Sequence, residues 1–255
     1  MAGKGEAPLF AMLRERGFQI AFHGHAEAIL SFEFRDSMVH LERVLSDFSI
    51  PIEEIIAGGG GEARGTQRLR HSLEKLGWKK TTFTVEKTIN KVTRESQSHQ
   101  VDHVLTFPTG VALALEIEWN NKDPFFDRDL ENFKRLHADG AISVGFIVTR
   151  GAALQDGLPS LVRRFCDEHA IDSFEDLVRW GVTPTARQRE QVMARAQRSR
   201  NQAPFREAFS DLFVSDKFGE ATTHWRKLED RVRRGVGNPC PLVLIGLPLS
   251  TISFG

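Results

Sequence analysis

Three acidic side chains, Asp102, Glu116 and Glu118, stand within VDHVLTFPTGVALALEIEWNNKD, residues 101–123. Val111, Leu113, Leu115, Ile117 and Trp119 alternate with Ala112, Ala114, Glu116 and Glu118, the period of a half-buried strand. Upstream, Val101, His103, Leu105 and Phe107 alternate with Asp102, Val104 and Thr106, and Pro108-Thr109-Gly110 between the runs suits a hairpin turn. With that gap as the whole loop, Phe107 faces Val111. Pairing then steps outward through Leu105–Leu113, His103–Leu115 and Val101–Ile117. Asp102 falls opposite Glu116, with Glu118 on the diagonal, and facing residues in such a pair lie about 5 Å apart. Like charges that close repel, and a bound cation relieves the repulsion. Hard carboxylate oxygens with no Cys nearby favour Mg²⁺ or a similar ion. The competing reading is an ordinary solvent-facing strand surface. The small Ala112 and Ala114, which leave the face open to a ligand, weigh against it.

The elements that must position these groups follow from the rest of the chain. At 255 residues it suits one large domain with a real core. Lys plus Arg equals Asp plus Glu, so no global charge points to a polyanion. The distribution is uneven, however: residues 179–234 hold 13 basic against 7 acidic side chains, a net of +6. Cys166 and Cys240 have no metal-ligand spacing and suggest reduced thiols in a cytosol. MAGKGEAPLF lacks the apolar segment and cleavage site of a signal peptide, and no run of about 18 apolar residues suggests a membrane span. The expected location is the cytoplasm of a bacterium.

Residues 8–16 could start a helix, and 19–34 are ambiguous between strand and helix. His23 and His25 would share a face on a strand, but without a third ligand at a sensible spacing a metal role is disfavoured. Residues 36–48 carry an amphipathic stripe, Met38, Leu41, Val44, Leu45 and Phe48, and Pro51 can open a short helix through Ile56. Gly58 to Gly61 precede a helix with Leu69, Leu73 and Leu76 on one face and Gly77 as its stop. Glu62 sits at its first turn, either as a dipole-compensating cap or as a fourth acid reaching the site.

Residues 79–92 read as a strand and 93–100, TRESQSHQ, as a polar loop before the hairpin. After it, Phe126, Leu130, Phe133 and His137 predict a helix ending at Gly140, and 141–149 is apolar enough for a strand covered on both faces. Residues 62–150 thus run helix, strand, strand, strand, helix, strand: an α/β arrangement with a mixed central sheet flanked by helices. Beyond them, 158–180 holds one or two helices and 183–200 is Arg-rich, with helical spacing that sets Arg195 beside Arg198. That face is either solvated or a phosphate contact. Phe205, Phe209, Leu212 and Phe213 form a further stripe, and 239–252 a final buried strand or two interrupted by Pro248.

An acid on one hairpin strand, Glu-x-Glu on the next, then helix and buried strand resembles the PD-(D/E)XK nuclease core. The chain is most similar to the BglII-type restriction endonucleases, relatives of the BamHI type. The resemblance is carried by FHGHAEAIL at 22–30, GGGGEARGTQRLRHSLEKLGW at 58–78, SHQVDHVLTF at 98–107 and ALEIEWNNKDPFFDRDLENFKRLHADGAISVGFIVTRG at 114–151. Little beyond Gly151 matches. The resemblance implies one endonuclease domain over 1–255, with a nuclease core at about 58–151 and a helical, basic extension at 152–255 that contributes DNA contacts.

By the same resemblance Asp102 and Glu116 are metal carboxylates, joined by the backbone carbonyl of Ile117. Glu118 takes the slot usually held by Lys, and Glu62 resembles the superfamily's helix glutamate. Val101 stands where the motif has Pro, and the missing Lys leaves the general base open; Lys122 is a poor substitute. The activity implied is Mg²⁺-dependent, sequence-specific hydrolysis of double-stranded DNA with one or two ions per site, by a type II restriction endonuclease. Asn120, Asn121, Lys122, Arg195 and Arg198 are the expected DNA contacts, and a homodimer on a short palindrome the expected assembly. Its interface is expected at the helix after Pro124 or at the Phe205–Phe213 segment. The alternatives are a structure-specific or repair nuclease on the same core, or an inactive DNA-binding module.

Overall fold

The computed structural model describes residues 7–57, 62–198 and 202–255. Gly58 to Gly61 and Arg200 lie outside them. The strands are β1 (Gln19–His23), β2 (Ile50–Pro51), β3 (Lys79–Ile89), β4 (Val92–Thr106), β5 (Ala112–Glu118), β6 (Val144–Arg150), β7 (Leu242–Leu247) and β8 (Ile252–Ser253). The N-terminal helices are α1 (Ala11–Glu15), α2 (Ala26–Glu33), α3 (Arg35–Asp47), α4 (Ile52–Ile56) and α5 (Arg64–Lys75). Helix α6 (Phe125–Ala138) links β5 to β6. Between β6 and β7 come α7 (Ala152–Glu168), α8 (Phe174–Val178), α9 (Ala186–Ala196), α10 (Phe205–Phe218) and α11 (Trp225–Arg233).

A six-stranded mixed sheet runs in the order β1-β7-β6-β5-β4-β3; β5, β6 and β7 are parallel to one another and the remaining pairs antiparallel. The helix, three-strand meander, helix and strand expected over 62–150 are all present. The expected core boundary is not. Strand β7, from the far end of the chain, is central to the sheet, and β1 closes its edge, so residues 58–151 are not a self-contained core. The C-terminal region is helical as expected, but it delivers this strand as well.

Both faces of the sheet are covered. Leu113, Leu115, Phe146, Val148, Val243 and Ile245 pack under α2, α3, α5, α7 and α10. On the other face Ala112, Ala114, Ile147 and Leu244 meet Phe126, Leu130 and Phe133 of α6 and Trp225, Leu228 and Val232 of α11. Strand β5 is therefore buried on both sides rather than half-exposed. Helix α6 starts behind Pro124, carries Asp127 in its first turn and Arg135 and His137 in its last, and stops at Gly140 with φ at 73°. It comes very close to β6: a Cβ at Gly145 would lie 2.5 Å from the Phe133 ring. The missing side chain at 145 is what lets α6 lie flat over the acidic strand.

The polar stretch 93–100 is strand, not loop. Asn90 and Lys91, at φ 52° and 65°, make a two-residue turn between the paired Ile89 and Val92, and β4 starts at once. Segment 19–34 divides into β1 and α2 at Gly24 and His25, both with positive φ, so His23 and His25 do not share a strand face. Among the described residues no helix is long and apolar enough to cross a membrane.

Candidate active site

The hairpin register is the expected one at its turn. Phe107 N–H donates to Val111 O at 2.8 Å, and Leu105 pairs with Leu113 and His103 with Leu115. There the ladder ends. Asp102 N–H instead donates to Oε1 of Glu116 at 3.2 Å, which brings the two residues together through a side chain. The cause is a bulge: three steps of β4, Val101 to Val104, lie against two of β3, Thr81 to Lys79. It turns Val101 to the α6 face, where it is buried beside Val104, so the expected pairing of Val101 with Ile117 does not form. Asp102 is exposed and its carboxylate meets Lys80 Nζ at 3.0 Å.

Glu116 and Glu118 are 5% and 3% exposed, under α6. Burial pushes the Glu116 carboxyl well above the ordinary carboxylate range, and the neighbouring charges of Asp129 and Asp102 push it further. Glu118 is raised to about 8, by burial first and then by Asp129. Asn121 Nδ2 donates to Glu118 Oε2 at 2.8 Å, and Arg128 Nη2 lies 3.7 Å from Oε1; both favour the charged form, but not enough to offset burial.

Asp129 on α6 is the residue that sequence reasoning missed. It is 2% exposed, and its carboxyl is within hydrogen-bonding reach of Glu118. Arg128 holds one oxygen, Oδ1, at 2.8 Å, while Oδ2 meets no fixed donor, so the Glu118–Asp129 pair is satisfied when it holds one proton between its two carboxyls. A signal did exist. Asp129 lies three residues after Phe126 and four before Phe133, inside the apolar stripe of its helix, where an acid needs a partner.

The loop after β5 is pinned from the far end of the chain. Thr149 Oγ1 donates to Glu118 O at 2.8 Å; Asn121 N–H donates to Thr223 Oγ1 at 3.1 Å, and Thr223 N–H to Asn121 O at 2.8 Å. Arg150, fully buried, grips the same segment: Nη2 reaches Thr223 O at 2.6 Å and Thr222 Oγ1 at 2.7 Å. Its charge meets the rings of Phe218 and Trp119 instead of a carboxylate, and burial lowers its pKa to about 9.

The other expected site residues scatter. Glu62 pairs with Arg70 at 3.3 Å rather than joining the acids of β5. Asn120, Asn121 and Lys122 lie just beyond the acidic strand end, with Asn121 and Lys122 exposed. Arg195 is tied to Asp211 of α10, and α9 ends at Ala196, so Arg198 is not its helical neighbour. The Phe126, Leu130 and Phe133 stripe of α6 is wholly buried within this chain and cannot also serve a second copy; Phe209 is buried too, with Phe205, Leu212 and Phe213 half-buried.

Hard oxygen donors converge here, but in the described residues no three His, Cys, Asp or Glu side chains close around one point. Two carboxylates with the balance supplied by water is the ordinary way Mg²⁺ binds, so Asp102 and Glu116, which approach through the Asp102 N–H, fit such an ion. The surplus of buried carboxyl groups, raised first by burial and then, for Glu116, by the charges of Asp129 and Asp102, fits it as well.

A family model described as Restriction endonuclease BglII/BglIII matches residues 18–247. The match runs far past Gly151 and takes in β1 and β7, in agreement with a sheet that needs both. Comparison with curated proteins gave no match.

Proposed function

The chain belongs to the restriction endonuclease BglII/BglIII family, a family of type II site-specific deoxyribonucleases, and from that premise we propose how its residues cut DNA. The reading is Mg²⁺-dependent, sequence-specific hydrolysis of double-stranded DNA. One observation carries it: Asp102 and Glu116 meet where the β4–β5 ladder ends, with two further buried carboxyls behind them.

Asp102, Glu116 and the carbonyl of Ile117 would hold Mg²⁺, one or two ions per site. Bound there, it supplies charge neutralisation on the phosphate and a more acidic water. The protein's own part is to position groups and move a proton. Glu118, held by Asn121 and facing Asp129, would orient the attacking water; the proton that the two carboxyls share in the absence of a cation would be displaced when one binds, leaving the pair free to take up the proton of the water. Arg128, at the rim of the pair, faces the incoming phosphate. Glu62 is assigned a supporting role through its ion pair with Arg70. Asn120, Asn121 and Lys122, at the strand end, contact the DNA; Arg198 adds a phosphate contact, and Arg195 a weaker one because Asp211 already holds it.

One such set of acids cuts one strand, so a symmetric duplex site calls for two copies about a two-fold axis. The assembly proposed is a homodimer on a short palindrome, acting in the cytoplasm. Incubation of plasmid with the protein and Mg²⁺ tests the reading. Discrete fragments with constant ends support it; smears or cutting only at junctions would point to a repair nuclease, and an intact but gel-shifted plasmid to a binding module.

A further inference from the structure

We propose that the outward face of the β3–β4 ribbon is a DNA-reading surface that enters the major groove beside the scissile phosphate. The inference rests on the nuclease reading above and deepens it.

The ribbon leaves the sheet at the acids. Strand β4 pairs with β5 only from Thr106 back to His103; between Val101 and Val92 its partner is β3 alone. Because β4 and β5 are antiparallel, this free length runs past the Glu116–Glu118 end of β5, the end that also carries Asn120 and Asn121. A duplex seated on the carboxylates meets the ribbon. The free part of β3, from Thr81 to Ile89, is at about 3.3 Å per residue roughly 30 Å long, close to one turn of DNA, and a two-stranded ribbon fits a groove about 12 Å wide.

Its two faces differ. Thr81, Phe83, Val85 and His99 are half-buried and lean toward α6: Phe83 packs on the core beneath that helix, and His99 Nδ1 lies 3.0 Å from Asn132 Oδ1. The opposite face carries the register pairs Thr82–Gln100, Thr84–Ser98 and Glu86–Ser96, all exposed. Hydroxyl and amide groups donate and accept alike, which is what base edges require. On this face hydroxyls predominate, Thr82, Thr84, Ser96 and Ser98, with the Gln100 amide beside Thr82 and Glu86 as the one charge among the three pairs.

The charge also fits. Residues 79–100 hold Lys79, Lys80, Lys87, Lys91 and Arg94 against Glu86 and Glu95, a net of +3 in a chain whose net charge is zero. Lys80 is engaged by Asp102, whereas Lys87, Lys91 and Arg94 crowd the tip around the Asn90–Lys91 turn. Phosphates of the duplex are their complement.

Two variants of the full-length protein test this, with a fluorescein-labelled duplex of mixed sequence and Ca²⁺ in place of Mg²⁺. The tip variant is Lys87→Ala, Lys91→Gly, Arg94→Ala, with Gly chosen because position 91 has positive φ. It is expected to bind the duplex at least about tenfold more weakly and to lower the salt slope by about three, roughly one per cation removed. The face variant is Thr84→Ala, Ser98→Ala, Gln100→Ala. It should keep the mixed-sequence affinity within about threefold, since it removes no phosphate contact, and blur the discrete digestion pattern on phage DNA.

A tip variant with wild-type affinity and salt slope overturns the proposal, as does a face variant with an unchanged fragment pattern. A tip variant that binds DNA normally but sediments as a monomer, where wild type is a dimer, overturns it in favour of contact between copies. If wild type never cuts DNA while the tip variant still loses affinity and slope, the nuclease reading fails and the ribbon's role in binding stands.

Discussion

Glu118 and Asp129 bring two carboxyls together between the centre of the sheet and the helix that covers it, at 3% and 2% exposure. One is delivered by the Glu-x-Glu of β5, the other by α6, which can approach because position 145 has no side chain. Charged together, the two repel in a site where Asn121 and Arg128 offset only part of the burial cost. With one proton they hydrogen-bond. The same arrangement raises Glu116 beside them, so the acids that would bind a cation are held at a cost to the cation-free fold.

That cost makes stability depend on pH. Glu118 has an ordinary value of 4.5 and is raised to about 8 in the fold. Its proton therefore binds more tightly to the folded chain. The stabilisation is complete below pH 4.5 and is lost as pH rises toward 8. Without divalent ions, Tm should fall by several degrees over that window, corresponding to a few kcal/mol. Mg²⁺ should restore much of it at pH 8. A flat Tm profile in EDTA would show that the pair does not share a proton.

Asp129→Asn removes one carboxyl and supplies a donor to Glu118 in its place. The metal-free variant should unfold at a higher temperature than wild type at pH 8, by on the order of 1–2 kcal/mol, with the difference shrinking toward pH 5. Its cleavage rate should fall at least about tenfold, because the attacking water loses half of its proton acceptor. Denaturant melts at the two pH values, together with plasmid nicking rates, check both parts.

Much of this was legible in the sequence, and what was not has physical causes. Alternation around Pro108–Gly110 gave the β4–β5 register and the approach of Asp102 to Glu116. The bulge at Val101 left no local trace, because the alternation there is equally regular without it. Only the second arm of the ribbon, 93–100, reads as a loop, since TRESQSHQ is polar on both faces and strand reading depends on one greasy face, which Phe83 and Val85 supply on the first arm; the Ile89–Asn90–Lys91–Val92 turn is the cue to it. The burial of Glu116 and Glu118 depends on α6 folding over them, and the central place of β7 on pairing across most of the chain. Neither is a local property. Asp129 was legible in principle, as an acid inside an apolar helical stripe.

Arg150→Lys should be costly although it keeps the charge. The guanidinium makes three hydrogen bonds to Thr222 and Thr223, which an ammonium at the same depth cannot reproduce in fork geometry. A loss of about 2–3 kcal/mol is expected in chemical denaturation. Because Thr223 holds Asn121, and Asn121 holds Glu118, kcat should drop as well. Wild-type stability in this variant would mean that the 221–223 segment needs no anchor.

Glu118→Lys restores the commoner third residue of the superfamily motif. Here it would place an ammonium at 3% exposure, paired with Asp129 and crowded by Arg128. The variant should fold, since Asp129 supplies a counter-charge, and should lose at least about a hundredfold in cleavage, since the group that orients the water is gone. Wild-type rates would show that position 118 accepts either sign of charge.

The most direct test is the pair Asp102→Ala and Glu116→Ala, assayed for cleavage of duplex DNA in Mg²⁺ alongside a thermal melt in EDTA. Asp102 is exposed, so its loss removes no core packing; Glu116 is buried, but the packing lost there is offset by relief of its burial cost and of the repulsion from Asp129 and Asp102. Both variants should melt at or above the wild-type temperature without metal, with Glu116→Ala the higher, and neither should cut. Cleavage at wild-type rate by either folded variant would contradict the assignment of these two acids as the centre of the site.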